Sequence, residues 1–238
     1  TQRVPVVVYG LLAANVLMFL VQHVNPNLVF EYGFKPTLFF AALHGVEAVA
    51  VPRGPHAGSV WIEPSFSSAY LPFLVSMFLH GGIFHIGFNM LFLWIFADNV
   101  EDQLGHGRFL FFYLACGILA TLAHAFMEAG SGIPTIGASG AVAGVLGAYF
   151  LRFPRARILT LIPIFIFIHV VEVPALVFLG IWFALEIFQA LTATGGNVAV
   201  WAHAGGFVAG MALFLLLKVG APPAPRRPHR QVRYRVIR

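Results

Sequence analysis

Six apolar segments recur along the chain, separated by stretches that are charged, polar or rich in proline. They cover residues 4–21, 82–100, 109–127, 139–150, 173–191 and 198–217. A helix needs about 20 apolar residues to cross the hydrocarbon core of a bilayer. Five segments approach that length, and the shorter fourth one is expected to begin below the membrane surface. The pattern therefore predicts six transmembrane helices.

Two further stretches do not fit a simple alternation of spans and short loops. Residues 22–70 contain several prolines together with apolar patches such as Leu38-Phe39-Phe40. Loops of this length are uncommon unless they are functional, and we expect this one to lie partly in the membrane interface. Residues 159–171, which precede Glu172-Val173-Pro174, are interpreted as a re-entrant or interfacial piece.

Composition agrees with a membrane protein. Hydrophobic residues make up 59% of the chain and charged residues 10%, and the mean hydropathy is +0.86. Soluble domains carry about 25% charged residues. The predicted fold class is an all-α polytopic bundle of six helices with a long outer first loop. We assign it to residues 1–218 and expect residues 219–238 to form a disordered, basic, cytoplasmic tail.

The distribution of basic residues predicts orientation and argues against nucleic acid as a partner. Seven of the fourteen basic residues lie at or after Lys218, in the tail, where anionic lipid headgroups are the expected contact. Arg152, Arg155 and Arg157 follow the fourth segment. By the positive-inside rule both sites are cytoplasmic. With six spans, both termini are then cytoplasmic and the first loop faces outward.

A serine and a histidine stand out inside the apolar sequence. Ser139 lies in Gly137-Ala138-Ser139-Gly140, and His203 begins a glycine-rich run through Gly210. Polar groups in membrane segments are costly, so they indicate function by default. The predicted topology places both at similar depth near the outer face. This favours a serine nucleophile with a histidine base.

Glycine spacing offers a way to bring these two residues together. Gly140 and Gly144 lie four residues apart in the fourth segment, and Gly206 and Gly210 repeat that spacing in the sixth. Small residues at this spacing let two membrane helices approach closely. We therefore expect the imidazole of His203 to come within hydrogen-bonding reach of the Ser139 hydroxyl.

His85 and Asn89 are the candidate oxyanion donors. They are four residues apart in the second segment and so share a helix face. Their imidazole and amide groups, with the backbone N–H of Ser139 at a helix start, suit a developing negative charge. His80 does not share this spacing and is left out of the set.

Other catalytic groups find less support in the sequence. Among nine carboxylates only Glu186 lies in the middle of a span, and none has a position that clearly supports His203. We therefore infer a serine–histidine dyad in which packing holds the histidine. The ten histidines include no His-Glu-x-x-His pattern, and we expect neither a metal nor another cofactor. Ala141 breaks the Gly-x-Ser-x-Gly pattern of soluble α/β-hydrolases.

These motifs resemble the rhomboid family of intramembrane serine proteases, over residues 10–217. The matching residues are His85 and Asn89, the Gly137-to-Gly140 run, and His203 with its following glycines. Residues 98–105 and 153–157 are also similar to the family. The first loop departs from it, because Trp61 is followed by Ile62 where many members have arginine.

The resemblance implies roles for these residues. Ser139 would be the nucleophile, His203 the general base, and His85 with Asn89 would line the oxyanion hole. Expected partners are single-pass or multi-pass membrane proteins, cleaved near or within their transmembrane helices. Substrate entry is expected to need movement of the fifth segment and of the connection at residues 192–197. The small chain favours a bacterial plasma membrane.

Two other functions stay open from sequence alone. One is a channel or transporter whose polar residues line a water path, for which broken helices in both halves would be expected. The other is a non-catalytic rhomboid-like binding protein. Such a protein would have lost Ser139 or His203, and both are present.

Overall fold

Helices carry most of the chain in the computed structural model, which describes residues 4–53, 58–164, 167–192 and 200–218. They are α1 (Val6–Val24), α2 (Leu28–Tyr32), α3 (Pro36–Leu43), α4 (Pro72–Val75), α5 (Ile83–Leu104), α6 (His106–Met127), α7 (Ser139–Arg152), α8 (Ala175–Thr192) and α9 (Val200–Lys218). A π-helical turn (Phe66–Tyr70) precedes α4, and a 3-10 turn (Ser76–Phe78) follows it. The six predicted apolar segments correspond to α1, α5, α6, α7, α8 and α9, so the all-α polytopic class is confirmed.

The fourth of these helices, α7, is too short to cross a bilayer by itself. Helices α1, α5, α6, α8 and α9 are each long and apolar enough to span, whereas α7 has 14 residues. At 1.5 Å per residue it extends about 21 Å, against a hydrocarbon core of about 30 Å. Most of its residues are buried, and it packs against α5, α6, α8 and α9. Because protein surrounds α7, its length need not match the thickness of the lipid.

Two antiparallel hairpins lie outside the helical bundle. The first pairs β1 (Val49–Pro52) with β2 (Ser59–Ile62), and the second pairs β3 (Arg157–Ile164) with β4 (Phe167–Pro174). The second hairpin covers residues 159–171, which were expected to form a re-entrant or interfacial piece, and it gives that piece a strand structure that the expectation did not specify. Isoleucine, valine and phenylalanine make up most of this stretch, and proline disfavours a helix interior, so a strand pair is the better local solution.

Helices α7 and α9 touch through their backbones. A Cβ atom built on Gly206 would lie 2.1 Å from the carbonyl oxygen of Gly140, and one on Gly210 would lie 2.0 Å from that of Gly144. No side chain fits in either gap. The close approach expected from the glycine spacing is confirmed, and it draws the start of α9 against the start of α7.

One end of the bundle is held by a buried carboxylate. Glu101, near the end of α5, is 2% exposed. Its oxygens accept hydrogen bonds from the backbone N–H groups of Val7 and Val8, at 3.1 and 2.9 Å, and the ring of His106 lies 2.5 Å away. Helix N-termini carry N–H groups without intrahelical partners, and this carboxylate satisfies two of them. The contact joins the start of α1 to the junction between α5 and α6.

The opposite end is held by an amide. The side chain of Gln22 on α1 accepts a hydrogen bond from the His80 backbone N–H at 2.9 Å and donates one to the His80 carbonyl at 3.0 Å. Gln22 is 7% exposed and His80 is 2% exposed. This pair fixes the backbone just before α5, where the candidate oxyanion residues begin.

The long first loop is anchored on the connection that leads into α7. Phe34 and Thr135 exchange backbone hydrogen bonds of 2.9 and 2.7 Å, and the Thr37 N–H donates to the Ser131 carbonyl at 3.0 Å. The rings of Phe34, Phe39 and Phe73 pack together beneath it. The loop therefore positions the segment that precedes Ser139.

A buried lysine completes this anchor. Lys35 is 1% exposed and donates to the carbonyls of Phe30 and Gly33. Burial lowers the pKa of its amine from the usual 10.5 to about 8. The guanidinium of Arg53 lies 5.6 Å from the centroid of the Phe30 ring. These contacts hold the first loop in place, although Ile62 follows Trp61 where many members of the rhomboid family have arginine.

Two predictions fall on residues that the structure does not describe. The basic tail, residues 219–238, lies outside the described residues. So does nearly all of the connection at residues 192–197, since the description stops at Thr192 and resumes at Val200.

Candidate active site

Ser139 and His203 form a hydrogen-bonded pair at one end of the bundle. Ser139 is the first residue of α7, and His203 lies in the first turn of α9. The distance between Ser139 Oγ and His203 Nε2 is 2.8 Å, although 64 residues separate them. Both side chains are partly exposed. A hydroxyl that donates to an imidazole nitrogen at this distance has the geometry of a serine nucleophile and its base.

A carboxylate lies on the far side of the imidazole, which the sequence interpretation did not foresee. Oε2 of Glu186, on α8, is 2.9 Å from Nδ1 of His203. The expectation that packing alone holds His203 is therefore wrong. The position of Glu186 in a span was the available signal, because ionisable groups in membrane helices usually pair with one another. Which partner it meets depends on how α8 rotates against α9, and hydropathy does not report that rotation.

Aromatic packing fixes α8 against α9 around this contact. The Trp182 ring lies 6.3 Å from the His203 ring and 6.0 Å from the Phe207 ring. Phe183 stacks on Phe207 at 4.5 Å. Trp182 and Glu186 are four residues apart and Phe183 and Glu186 three, so all lie on one face of α8. That face is the one that meets α9.

His85 lies beside the start of α7, and a hydrogen bond from Gly81 shows which of its ring nitrogens carries the proton. The backbone N–H of Gly81 donates to Nδ1 of His85 at 3.2 Å. Nδ1 is therefore the acceptor in neutral imidazole, and the proton is on Nε2. Gly137 separates this nitrogen from the serine: a Cβ atom built there would be 2.7 Å from His85 Nε2 and 3.6 Å from Ser139 Oγ. His85 thus presents a donor N–H toward the space next to Ser139.

Asn89 lies one helical turn further along the same face of α5. It is 6% exposed, and its Nδ2 donates to the His85 carbonyl at 3.0 Å. An amide nitrogen carries two protons, so this bond leaves the second available as a donor. The backbone N–H of Ser139 belongs to the first turn of α7, where N–H groups have no intrahelical partner. The structure therefore places His85 beside Ser139. The hydrogen bond of the Asn89 side chain is to His85.

Two buried histidines frame the site without belonging to the predicted set. The His80 ring lies 5.2 Å from the His85 ring and meets it edge to face. The His124 ring on α6 contacts the Thr135 hydroxyl at 2.9 Å, which ties α6 to the strand-like segment before Ser139. Sequence reasoning set His80 aside, and Gln22 and Thr135 carried no local signal because their partners are distant in the chain.

The site shows no grouping of side chains suited to a metal ion. Within the described parts of the chain, no three His, Cys, Asp or Glu side chains are clustered as ligands would be. The polar groups that do converge are a hydroxyl, two imidazoles, an amide and one carboxylate. Proton transfer and stabilisation of an oxyanion are the chemistry that such groups provide.

The bundle of long apolar helices defines a polytopic membrane protein, and a serine and a histidine are hydrogen-bonded at one of its ends. The sequence profile of the Rhomboid domain matches residues 67–219 of this chain. That is more than half of its length, so the chain belongs to the rhomboid family. The resemblance inferred from the motifs is confirmed.

Individual relatives extend this comparison. The chain is 30% identical to Rhomboid protein 1, mitochondrial, of Saccharomyces cerevisiae over 210 residues, which are 81% of this chain and 56% of the yeast protein. It is 35% identical to Rhomboid protease GluP of Bacillus subtilis over 153 residues, 63% of this chain and 26% of that protein. It is also 34% identical to Presenilin-associated rhomboid-like protein, mitochondrial, of Bos taurus over 99 residues, 40% of this chain and 26% of the bovine protein.

These matches support a multi-pass membrane protein and leave its compartment open. The chain spans between about a quarter and just over half of the length of these curated relatives. Two of the three are mitochondrial by name and one comes from a bacterium. The expectation of a bacterial plasma membrane therefore gains no support from them.

Proposed function

We propose that this protein is an intramembrane serine endopeptidase that cleaves other membrane proteins. The observation that carries the proposal is the 2.8 Å contact between Ser139 Oγ and His203 Nε2 at the ends of two apolar helices. Membership of the rhomboid family supports it, as does the likeness to a relative named a rhomboid protease. Ser139 is the nucleophile and His203 is the general base.

The reaction follows the pattern of serine hydrolases. The Ser139 hydroxyl proton moves to His203 Nε2 while Oγ bonds to the carbonyl carbon of the scissile peptide. The imidazolium then returns the proton to the departing amine as the C–N bond breaks, which leaves an acyl-enzyme. A water molecule, deprotonated by His203, attacks the ester and releases the second product. No metal or other cofactor takes part in any of these steps.

The negative charge on the tetrahedral intermediate requires hydrogen-bond donors, and we assign three groups to this role. They are the backbone N–H of Ser139, the Nε2–H of His85 and the second amide proton of Asn89. The hydrogen bond from Gly81 supports the role of His85, because it leaves the proton on the nitrogen that faces Gly137. Each such donor is worth about 2.7–4 kcal/mol of transition-state stabilisation.

The substrates are membrane-spanning proteins, with one or several spans, rather than soluble peptides or nucleic acid. A transmembrane helix satisfies its own backbone hydrogen bonds, so its carbonyls are not open to attack until it unwinds locally. Segments with glycine in the outer third, which lower helix stability, are the preferred class. The lipid bilayer is the second partner, and substrates approach from it.

The orientation follows from charge. Arg152, Arg155, Arg157 and Lys218 lie at the end of the bundle opposite Ser139. The positive-inside rule makes that end cytoplasmic, or its equivalent in an organelle, and places the reaction near the outer face. Both termini then lie on the inner side.

The test uses the purified chain in detergent with a fluorophosphonate probe, which modifies activated serines. Wild type is expected to be labelled, whereas Ser139→Ala and His203→Ala should lose labelling by at least about 10³-fold. Wild type should also cut a purified single-span membrane protein that carries glycine in the outer third of its helix. Full labelling in either variant, or a folded wild type that is never labelled, would reject the proposal in favour of a non-catalytic member of the family or a water-lined transport path.

A further inference from the structure

A carboxylate contacts the candidate catalytic histidine from a third helix. Oε2 of Glu186 on α8 is 2.9 Å from Nδ1 of His203 on α9, and Ser139 on α7 occupies the other ring nitrogen. The Glu186 side chain is 13% exposed and that of His203 is 14% exposed. Both groups are therefore largely withdrawn from solvent, where a hydrogen bond to a charged acceptor is strong.

This contact determines which nitrogen of His203 carries the proton. An ionised carboxylate accepts hydrogen bonds and cannot donate them. Nδ1 must therefore be protonated, which leaves the lone pair of neutral imidazole on Nε2. That lone pair faces the Ser139 hydroxyl at 2.8 Å. The opposite tautomer would present an N–H to the serine and could not remove its proton.

The same contact stabilises the charge that forms during attack. When the Ser139 proton reaches Nε2, the ring becomes an imidazolium with its positive charge adjacent to Glu186. A negative charge within hydrogen-bonding distance favours that state, and partial exclusion of water strengthens the effect. The proton remains on the imidazole until the amine leaves, and no step transfers it to Glu186.

A purely structural role for Glu186 explains the contact less well. Helices α8 and α9 already pack through Trp182 and Phe183 on Phe207, with ring centroids 6.0 and 4.5 Å apart. Aromatic contacts of this kind join two helices without an ionisable group. A carboxylate in a membrane span is costly, so its presence opposite the base nitrogen calls for a function.

We propose that Glu186 is the positioning residue of His203, so that three helices supply a Glu186–His203–Ser139 chain of hydrogen bonds. This inference rests on the proposed peptidase function. It also makes the orientation of the base depend on α8, because Glu186 is in register with His203 only while α8 is packed against α9.

The test compares Glu186→Gln, Glu186→Asp and Glu186→Ala with wild type in the full-length chain. The control is Glu172→Gln, which removes the same charge from an exposed ion pair with Arg157 in the second hairpin. The readouts are the inactivation rate constant and the apparent binding constant for a fluorophosphonate, together with the thermal unfolding midpoint. The rate constant reports chemistry at Ser139, and the binding constant reports access to the site.

Glu186→Ala and Glu186→Gln are expected to lower the inactivation rate constant by roughly 10²- to 10⁴-fold while the binding constant changes by less than about three-fold. Glu186→Asp should recover at least about ten-fold of that loss, and Glu172→Gln should match wild type. Gln has nearly the same shape as Glu, so it carries the test if the alanine variant does not fold.

Two results would overturn the role of Glu186 alone. One is a Glu186→Gln protein that is labelled within about two-fold of the wild-type rate. The other is a loss of rate that follows only a fall in the unfolding midpoint, with no recovery in Glu186→Asp. In both cases wild type is still labelled at Ser139, whereas failure of the proposed function would appear as an unlabelled wild type.

Discussion

At the residue scale, the candidate site depends on Gly137, which lies between the side chains of His85 and Ser139 and leaves the space between them open. Gly137 has φ of +123°, in the region that residues with a Cβ rarely adopt. A Cβ atom there would also lie 2.7 Å from His85 Nε2. Backbone shape and side-chain clearance thus both require glycine at this position.

Replacing Gly137 by alanine should damage the reaction more than the fold. The backbone strain costs about 1–3 kcal/mol, and displacement of His85 removes one oxyanion donor. We expect the fluorophosphonate labelling rate to fall by about 10²- to 10³-fold, the usual effect of losing such a donor. Gly45→Ala is the matched control, since Gly45 also has positive φ (+67°) but nothing lies within 4 Å of its added Cβ. Equal labelling of Gly137→Ala and wild type would show that His85 does not act in the site.

Residues that pair across the chain mark the limit of sequence reasoning. The contact of Ser139 with His203 could be predicted, because polar groups in apolar segments and the spacing of glycines are visible in the sequence. The contact of Glu186 with His203 could not be predicted, although only 17 positions separate the two residues in the sequence. Whether those two side chains meet is decided by the rotation of α8 about its axis, and the aromatic residues that set that rotation read as ordinary span residues.

At the scale of elements, the hydropathy pattern was sufficient to predict the apolar helices but not the structure of the segments that connect them. A lipid-exposed segment must satisfy its backbone internally, so long apolar runs in this composition become helices. Loop residues have no such constraint. The pairing of Phe34 with Thr135 and the burial of Lys35 depend on distant partners. The secondary structure of residues 159–171 was left open, because a short apolar run suits a helix or a strand about equally.

The contact between α7 and α9 is the element-level feature on which the site relies. Gly206 lies three residues after His203, and a Cβ there would be 2.1 Å from the Gly140 carbonyl, next to Ser139. Gly206→Ala must therefore move the two helices apart. We expect destabilisation of about 1–3 kcal/mol, as for other overpacked interiors. Labelling of Ser139 should fall about 10²-fold or more, since shifts near 1 Å have that effect on catalysis.

A glycine with open space around it provides the comparison. Gly10 on α1 has nothing within 4 Å of an added Cβ, so Gly10→Ala should leave the labelling rate unchanged. Thermal unfolding and labelling measured on both variants separate a local steric effect from a general effect of removing glycine from a membrane helix. A Gly206→Ala protein with wild-type labelling would mean that the α7–α9 spacing is not critical to the reaction.

At the scale of the whole molecule, contacts at the two ends of the bundle agree on which helix ends lie together. Glu101 joins the start of α1 to the junction of α5 and α6, and Arg152 at the end of α7 reaches Gln103 at 2.8 Å. Gln22, His80, Ser139 and His203 lie at the other end. The bundle thus has a basic, structural end and an end that carries the candidate chemistry. Only the assignment of these ends to the two sides of a membrane rests on charge alone.

That assignment can be tested with single introduced cysteines, because the buried native thiol is not expected to react with a maleimide. Cys116 is the one cysteine in the chain and is fully buried. Glu47→Cys places a thiol at an exposed position of the first loop, and Gly107→Cys places one at an exposed, uncrowded position near the start of α6. Neither change alters the number of basic residues. In intact bacterial cells expressing the chain, a membrane-impermeant maleimide should label Glu47→Cys and leave Gly107→Cys unlabelled, whereas permeabilised cells should show both. The reverse pattern would place the serine at the cytoplasmic face and would require substrates to be cut on that side of the bilayer.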